Sequence, residues 1–236
     1  MHYMGGKYSV RKPIAKIIRN CKIRGGTNTF VSLFCGALNI ESEVAKDFER
    51  VICNDKHKYL ISMLQVVQQG FELPDSISRE EYYYIKEHKD EMTELAGFVG
   101  FGCAFGGKWF SGYAQNNKSH NYCAEAKRGL LRKLSMMPNA EFICNDYRDV
   151  IIPDSAIVYC DPPYEGVTGY GGTGKFDSAE FWQYMRELSS RCTVLISETS
   201  APEDFKAIWE HKKKRTLNDD STAYFDVVEK VFVYNG

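Results

Sequence analysis

The residues with the most definite chemical consequence are Asp161-Pro162-Pro163-Tyr164. They follow the apolar run AIVYC, which places them at the C-terminal edge of a strand, where open parallel sheets bind ligands. Two successive prolines fix φ and remove two N–H donors. The Asp161 carboxylate and the Pro162 carbonyl are then available to accept both hydrogens of one exocyclic amine. Tyr164 adds a flat surface on which an extruded base can stack. Asp-Pro by itself is a common turn starter; the full four residues after a buried-strand pattern are far more specific.

A second stretch, FVSLFCGALNIESEVAKDF (30–48), runs from an apolar strand through Phe34-Cys35-Gly36 into a helical pattern. Gly36 permits a tight turn beside a ligand at the same sheet edge. Just beyond the next strand, VICN, stands Asp55, at the distance where an acid accepts hydrogen bonds from a ribose diol. The pyrophosphate fingerprint G-x-G-x-x-G is missing, so this edge suits a nucleoside without phosphates. GYGGTGKF (169–176) nearly matches a phosphate loop, but Phe176 stands where a Mg²⁺-holding Ser or Thr belongs and no strand leads in directly. It reads instead as a loop that closes after the catalytic turn, with Lys175 on phosphate, or as a plain surface loop. The eight cysteines show no C-x-x-C spacing and the five histidines no ligand spacing, so no metal site is expected. Cys35, Cys53, Cys144, Cys160 and Cys192 lie in or beside apolar runs and are expected to be buried thiols.

Formal net charge is -1, from 30 basic and 31 acidic residues, which does not by itself suggest a polyanion partner. The distribution does. Residues 1–40 contain no acid, 72–94 are acidic, and 95–140 are again basic. Within 103–122, Lys108, Asn116, Asn117 and Lys118 are mixed with glycine and aromatics, a composition able to read base edges and fill a gap in a base stack. Lys127, Arg128, Arg132 and Lys133 on the following helix suit phosphate contact, as, more weakly, does Lys212–Arg215. The competing readings are a solvated basic face, and a lobe core built from Phe101, Phe105, Trp109 and Phe110.

The elements that must position these groups alternate. Helical spacing covers about 8–20, 40–48, 57–69 and 178–191, and short apolar strands cover 29–34, 50–54, 140–145, 155–160 and 193–197. Two further strands end the chain. This β-α-β order predicts a mostly parallel α/β sheet with helices on both faces. Residues 71–138 break the alternation and read as an insertion. No apolar run approaches the ~18 residues needed to span a bilayer, and MHYMGGKYSVRK lacks the apolar core of a signal peptide.

Together these features resemble the Dam-like family of DNA adenine-N6 methyltransferases, common in bacteria and phages, over nearly the whole chain. Tyr3-Met-Gly-Gly-Lys7 is similar to the family's aromatic-x-Gly-Gly-Lys box, which contacts S-adenosylmethionine. Phe34-Cys-Gly36 resembles its cofactor motif, Asp55 the acid after the second strand, and Asn145-Asp146-Tyr147 the segment beside the cofactor adenine. Asp161-Pro162-Pro163-Tyr164 matches the catalytic motif, with Asp161 also at the cofactor. The resemblance implies a seven-stranded, Rossmann-like sheet formed by 1–70 and 139–236, with 71–138 as a mainly helical target-recognition lobe. It implies methyl transfer to adenine N6 in duplex DNA by base flipping, a cytoplasmic location and no obligatory protein partner. Related sites act on cytosine N4, RNA adenine or a protein amide; Asp161 favours adenine. Leu38 stands where the family often has a second glycine, and the pattern ALNIESEVAKDF places it in a first helical turn, where leucine is harmless. Were a positive φ required there, cofactor binding would suffer.

Overall fold

The computed structural model describes residues 5–115, 120–163, 176–216 and 224–236. Its strands are β1 (Thr29–Ser32), β2 (Arg50–Asn54), β3 (Ala140–Ile143), β4 (Ile157–Cys160), β5 (Thr193–Glu198), β6 (Phe205–Thr216) and β7 (Tyr224–Tyr234). They form one seven-stranded sheet in the order β3-β2-β1-β4-β5-β7-β6. The first five are parallel, and β7 is antiparallel to both β5 and β6. The order reverses between β1 and β4, which leaves a crevice beyond their C-terminal ends.

The strands are short and apolar because both faces are covered. Phe30, Val51, Ile157, Tyr159 and Leu195 face one layer, and Val31, Ile52, Val158, Val194 and Ile196 face the other. The first layer contains α1 (Arg11–Gly25), α3 (Lys58–Gln68), α5 (Thr93–Gly102) and α6 (Tyr122–Leu134), with α4 (Arg79–Glu87) against α5. The second is α7 (Ser178–Ser189), which contributes Phe181, Met185 and Leu188. The helices of 71–138 thus share one core with the sheet. At Gly97 a Cβ would collide with the Tyr59 carbonyl, and that close approach brings α5 down onto α3. A capping box sets the start of α4: the Glu81 N–H donates to Ser78 Oγ and the Ser78 N–H to Glu81.

One local expectation fails. Leu38 is not in a helical turn; it has φ 57°, the left-handed region. The chain reverses through Gly36 (φ 45°) and Leu38, and α2 begins only at Glu41, running to Val44 before a 3-10 turn over Ala45–Asp47. The tight turn costs Leu38 about 1–2 kcal/mol of backbone strain. Its side chain, fully buried in the core, offsets this. Cys144 also differs from expectation: it is exposed at the end of β3. No helix among the described residues is long and apolar enough to cross a membrane.

Candidate active site

The C-terminal ends of β1, β2, β3 and β4 open onto a cleft of roughly 1110 Å³, open mouth included. Its floor is organised by Asn54, the last residue of β2. The buried Asn54 amide donates to Leu33 O (3.0 Å) and Asn145 O (3.1 Å) and accepts from the Asn145 N–H (3.0 Å). One side chain therefore ties together the loops leaving three adjacent strands. The Cys35 N–H donates to Asn54 O (2.8 Å), which holds the turn into Gly36.

Asp55 follows directly. One carboxylate oxygen accepts the Gly36 N–H (3.0 Å) and the other the His57 N–H (2.9 Å). Asp55 lines the cleft, and its carboxylate is an acceptor of the kind a ribose diol requires. Burial raises its pKa, and the backbone donors oppose the rise. Beside it lies an aromatic wall. Phe34 contacts Tyr147 (5.5 Å between centroids), Phe176 (6.0 Å) and Phe181 (5.9 Å). Asp146 accepts from Arg148 Nε (2.7 Å) and Lys56 Nζ (2.9 Å), so it is held ionised well below the usual carboxylate range, chiefly by Arg148. Arg148 also reaches Glu180 and lines the cleft.

Asp161 is placed by β4 at the opposite side of the reversal. Lys7 Nζ sits 2.8 Å from Asp161 Oδ1 and 2.9 Å from Glu229 Oε1. Glu229 comes from β7, and only the antiparallel return of that strand brings it to this edge. The Lys7 side chain is 4% exposed and that of Asp161 21%, so the cation is almost wholly buried at the cleft wall while the acid keeps more contact with the opening. Desolvation pushes Asp161 up to about 6; Lys7 pulls it down and Glu229 adds to the rise. A carboxylate held by a buried ammonium at a strand end is a fixed hydrogen-bond acceptor, able to orient an amine.

A second buried acid lies nearby. Glu41 accepts from Ser32 Oγ (2.6 Å) and from the Ile40 N–H (3.1 Å), and burial raises it to about 7. Lys133 of α6 donates to Ala37 O (2.5 Å) and Asn39 Oδ1 (2.7 Å), and burial lowers it to about 8. Lys133 is thus an internal strut under the Gly36 turn, which corrects its expected place on a phosphate-binding face.

The structure gathers Lys7, Phe34, Gly36, Asp55, Asp146, Tyr147 and Asp161 around this one cleft. Pro163 lines it, whereas Pro162 lines a second pocket that shares Pro163 and Phe176 with the cleft. Tyr3, Tyr164, Asn116, Asn117, Lys118 and Lys175 lie outside the described residues. Lys108 and Arg128 are exposed, whereas Lys127 is paired with Asp75 at 2.8 Å. Trp109 and Phe110 pack in the core that 71–138 shares with the sheet, and Phe105 is 70% exposed. The sequence reading missed Glu41, Asn54, Lys133, Arg148 and Glu229. Lys133 does leave a trace, because it falls on the apolar stripe of α6 with Ala126, Leu130 and Leu134, where an unpaired charge is costly.

The donor set fits S-adenosylmethionine: an aromatic wall and an acid for the nucleoside, no phosphate cradle among the described residues, and a held carboxylate where an amine would enter. The chain is similar to several known proteins. A curated relative, the type II methyltransferase M.FokI of Planomicrobium okeanokoites, is 23% identical over 216 residues, covering 80% of this chain and 32% of that protein. The chain therefore spans about a third of this relative's length. Among solved structures, an S-adenosylmethionine-dependent methyltransferase from Clostridium acetobutylicum matches 96% of this chain and 75% of its own (TM-score 0.35, 10% identity). The N-methyltransferase NodS from Bradyrhizobium japonicum matches 97% and 98% (TM-score 0.42, 7% identity). The assignment rests on a sequence-family model, which covers residues 3–99 and 103–223 and so includes both the Gly36 turn and the Asp161 motif. On that match the chain belongs to the D12 class of N6 adenine-specific DNA methyltransferases.

Proposed function

We propose that this chain transfers the methyl group of S-adenosylmethionine to adenine N6 in duplex DNA by base flipping and direct displacement. The observation that carries this reading is Asp161, held just after β4 by Lys7 at 2.8 Å and lining the same cleft as Asp55. The N6 lone pair of adenine is delocalised into the ring, so the amine is a poor nucleophile. Asp161 and the Pro162 carbonyl would accept its two hydrogens and turn the lone pair out of the ring plane. The bound cofactor supplies the activated methyl group. The chain contributes orientation and placed dipoles, with Tyr164 as the stacking surface. Phe34, Gly36, Asp55, Asp146 and Tyr147 would hold the nucleoside.

The base must leave the stack to reach Asp161, at a cost of a few kcal/mol. The lobe of 71–138 is proposed as the DNA-reading part: Lys108, Asn116, Asn117 and Lys118 on its loop, Arg128 and Lys127 on α6, and Lys175 beyond the catalytic turn. Asp75 already shares Lys127, so Arg128 carries more of the expected phosphate contact. The proposed location is the cytoplasm, where the DNA substrate would lie.

The test mixes the protein with labelled S-adenosylmethionine and varied unmethylated duplex DNA, followed by digestion to nucleosides. N6-methyladenine is the expected product. N4-methylcytosine, or no label on any sequence, refutes the proposal. Asp161→Ala is expected to abolish transfer and spare cofactor binding; loss of cofactor binding instead would move Asp161 to the cofactor site.

A further inference from the structure

Glu41 has no part in the chemistry above, and its position is hard to explain by folding alone. It is 2% exposed, opens α2 and lines the cleft. Its two hydrogen bonds, from Ser32 Oγ and the Ile40 N–H, fix the plane of the carboxyl and leave a lone pair on each oxygen. A neutral amide would satisfy the same two groups, so an acid is not needed for the fold. The charged and titratable groups around it are Asp161 and Tyr159 of β4, Lys133 of α6, Cys53 of β2, and Cys35 in the turn after β1. Lys133 points its ammonium at Ala37 O and Asn39 Oδ1 rather than at Glu41. Among the described residues, the carboxyl thus sits in a nearly dry wall of the cleft without a cation in hydrogen-bond contact.

The cofactor can bring one. Asn39, Ile40 and Glu41 line the same cleft as Asp55 and Asp161; were the ribose held at Asp55 with the reacting methyl toward Asp161, the amino-acid end would lie against this wall. That end carries an α-ammonium. We propose that Glu41 is the acceptor for the α-ammonium of the cofactor's amino-acid end, so that this end is recognised by charge. The inference rests on the S-adenosylmethionine reading of the cleft. No covalent step is involved. The ammonium keeps its protons and donates one to the carboxylate, and any proton that the acid carried before binding passes to solvent.

Two nucleosides separate the possibilities. S-Adenosylhomocysteine carries the amino-acid end, and 5′-methylthioadenosine lacks it. Both are titrated calorimetrically into the full chain and its Glu41→Gln variant, in two pH 7 buffers of different ionisation heat. The wild type is expected to release protons on binding S-adenosylhomocysteine and none on binding 5′-methylthioadenosine. Glu41→Gln is expected to weaken S-adenosylhomocysteine by about tenfold or more, to remove the proton release, and to leave 5′-methylthioadenosine unchanged. Unchanged methylthioadenosine binding also shows that the variant is folded. Equal weakening of both nucleosides, weakening of neither, or wild-type binding without proton release overturns the inference. Failure of both nucleosides to bind the wild type overturns the cofactor reading itself.

Discussion

Replacing Lys7 with methionine tests whether the catalytic carboxylate is tuned by its buried partner. Lys7 Nζ lies 2.8 Å from Asp161 and 2.9 Å from Glu229, and its removal leaves two carboxyls facing each other. An opposite charge at this distance shifts a carboxyl by about one to three pH units. Asp161 starts at about 6, so Lys7→Met moves its midpoint to about 7–9. At pH 7.5 the ionised fraction falls from nearly all to between about three-quarters and one-thirtieth. The readout is the acid limb of kcat/KM for DNA against pH, which reports the free enzyme. Because the three groups interact, the measured midpoint belongs to the cluster. The expected result is a limb near 6 that shifts alkaline in Lys7→Met, with activity recovering at high pH. Glu229→Gln removes a like charge and is expected to shift the limb the other way. An acid limb at the same pH in all three proteins would refute the argument, and so would a Lys7→Met defect that no pH restores.

Three further outcomes follow from the structure. Glu41 has its midpoint raised from 4.5 to about 7 by burial, so the folded state binds the proton more tightly than the unfolded chain does. The corresponding stability is fully present below about 4.5 and is lost as pH rises through about 7, a change of about 3 kcal/mol. Urea unfolding of the ligand-free protein at pH 5 and pH 8 is expected to show this loss for the wild type and much less of it for Glu41→Gln; equal losses would contradict it. Leu38→Gly relieves about 1 kcal/mol of left-handed strain but removes a fully buried leucine worth about 2–5 kcal/mol, so net destabilisation with little change in S-adenosylhomocysteine affinity is expected. A stabilised variant would show that strain dominates. Arg128→Gln is expected to weaken DNA binding uniformly across sequences and to lower the salt slope by about one, whereas Lys127→Gln lowers it less because Asp75 already shares that cation; equal changes in slope would argue against the difference.

What was legible in the sequence was the part encoded locally. The strand before Asp161 is a short apolar run, and the two prolines mark its end whatever the rest of the chain does. The same holds for Phe34-Cys35-Gly36 and for the alternation that predicts a parallel sheet. The Leu38 turn was not legible, because ALNIESEVAKDF carries a good helical pattern and only the tertiary demand for a reversal after Gly36 overrides it. Glu229 looks like any polar residue in the alternating run FDVVEKVFVY; its place beside Lys7 depends on β7 inserting between β5 and β6. Lys133 reads as one more cation in a basic helix until Leu130 and Leu134 are seen to face inward and take it with them. Asn54 ends a strand like many other asparagines, and its bridging role exists only once β1, β2 and β3 are side by side.

The placement of β7 also bears on the order in which the molecule becomes competent. The first five strands form the cleft, the Asn54 tie and the Gly36 turn by themselves. Glu229 comes from the terminal antiparallel pair, so the Asp161–Lys7–Glu229 cluster is complete only when β7 is in place beside the five parallel strands. Nucleoside capture should then precede methyl-transfer competence during refolding. Stopped-flow binding of a fluorescent nucleoside, compared with transfer activity sampled over the same interval, would show the two appearing in that sequence; simultaneous appearance would mean that the sheet closes in a single step.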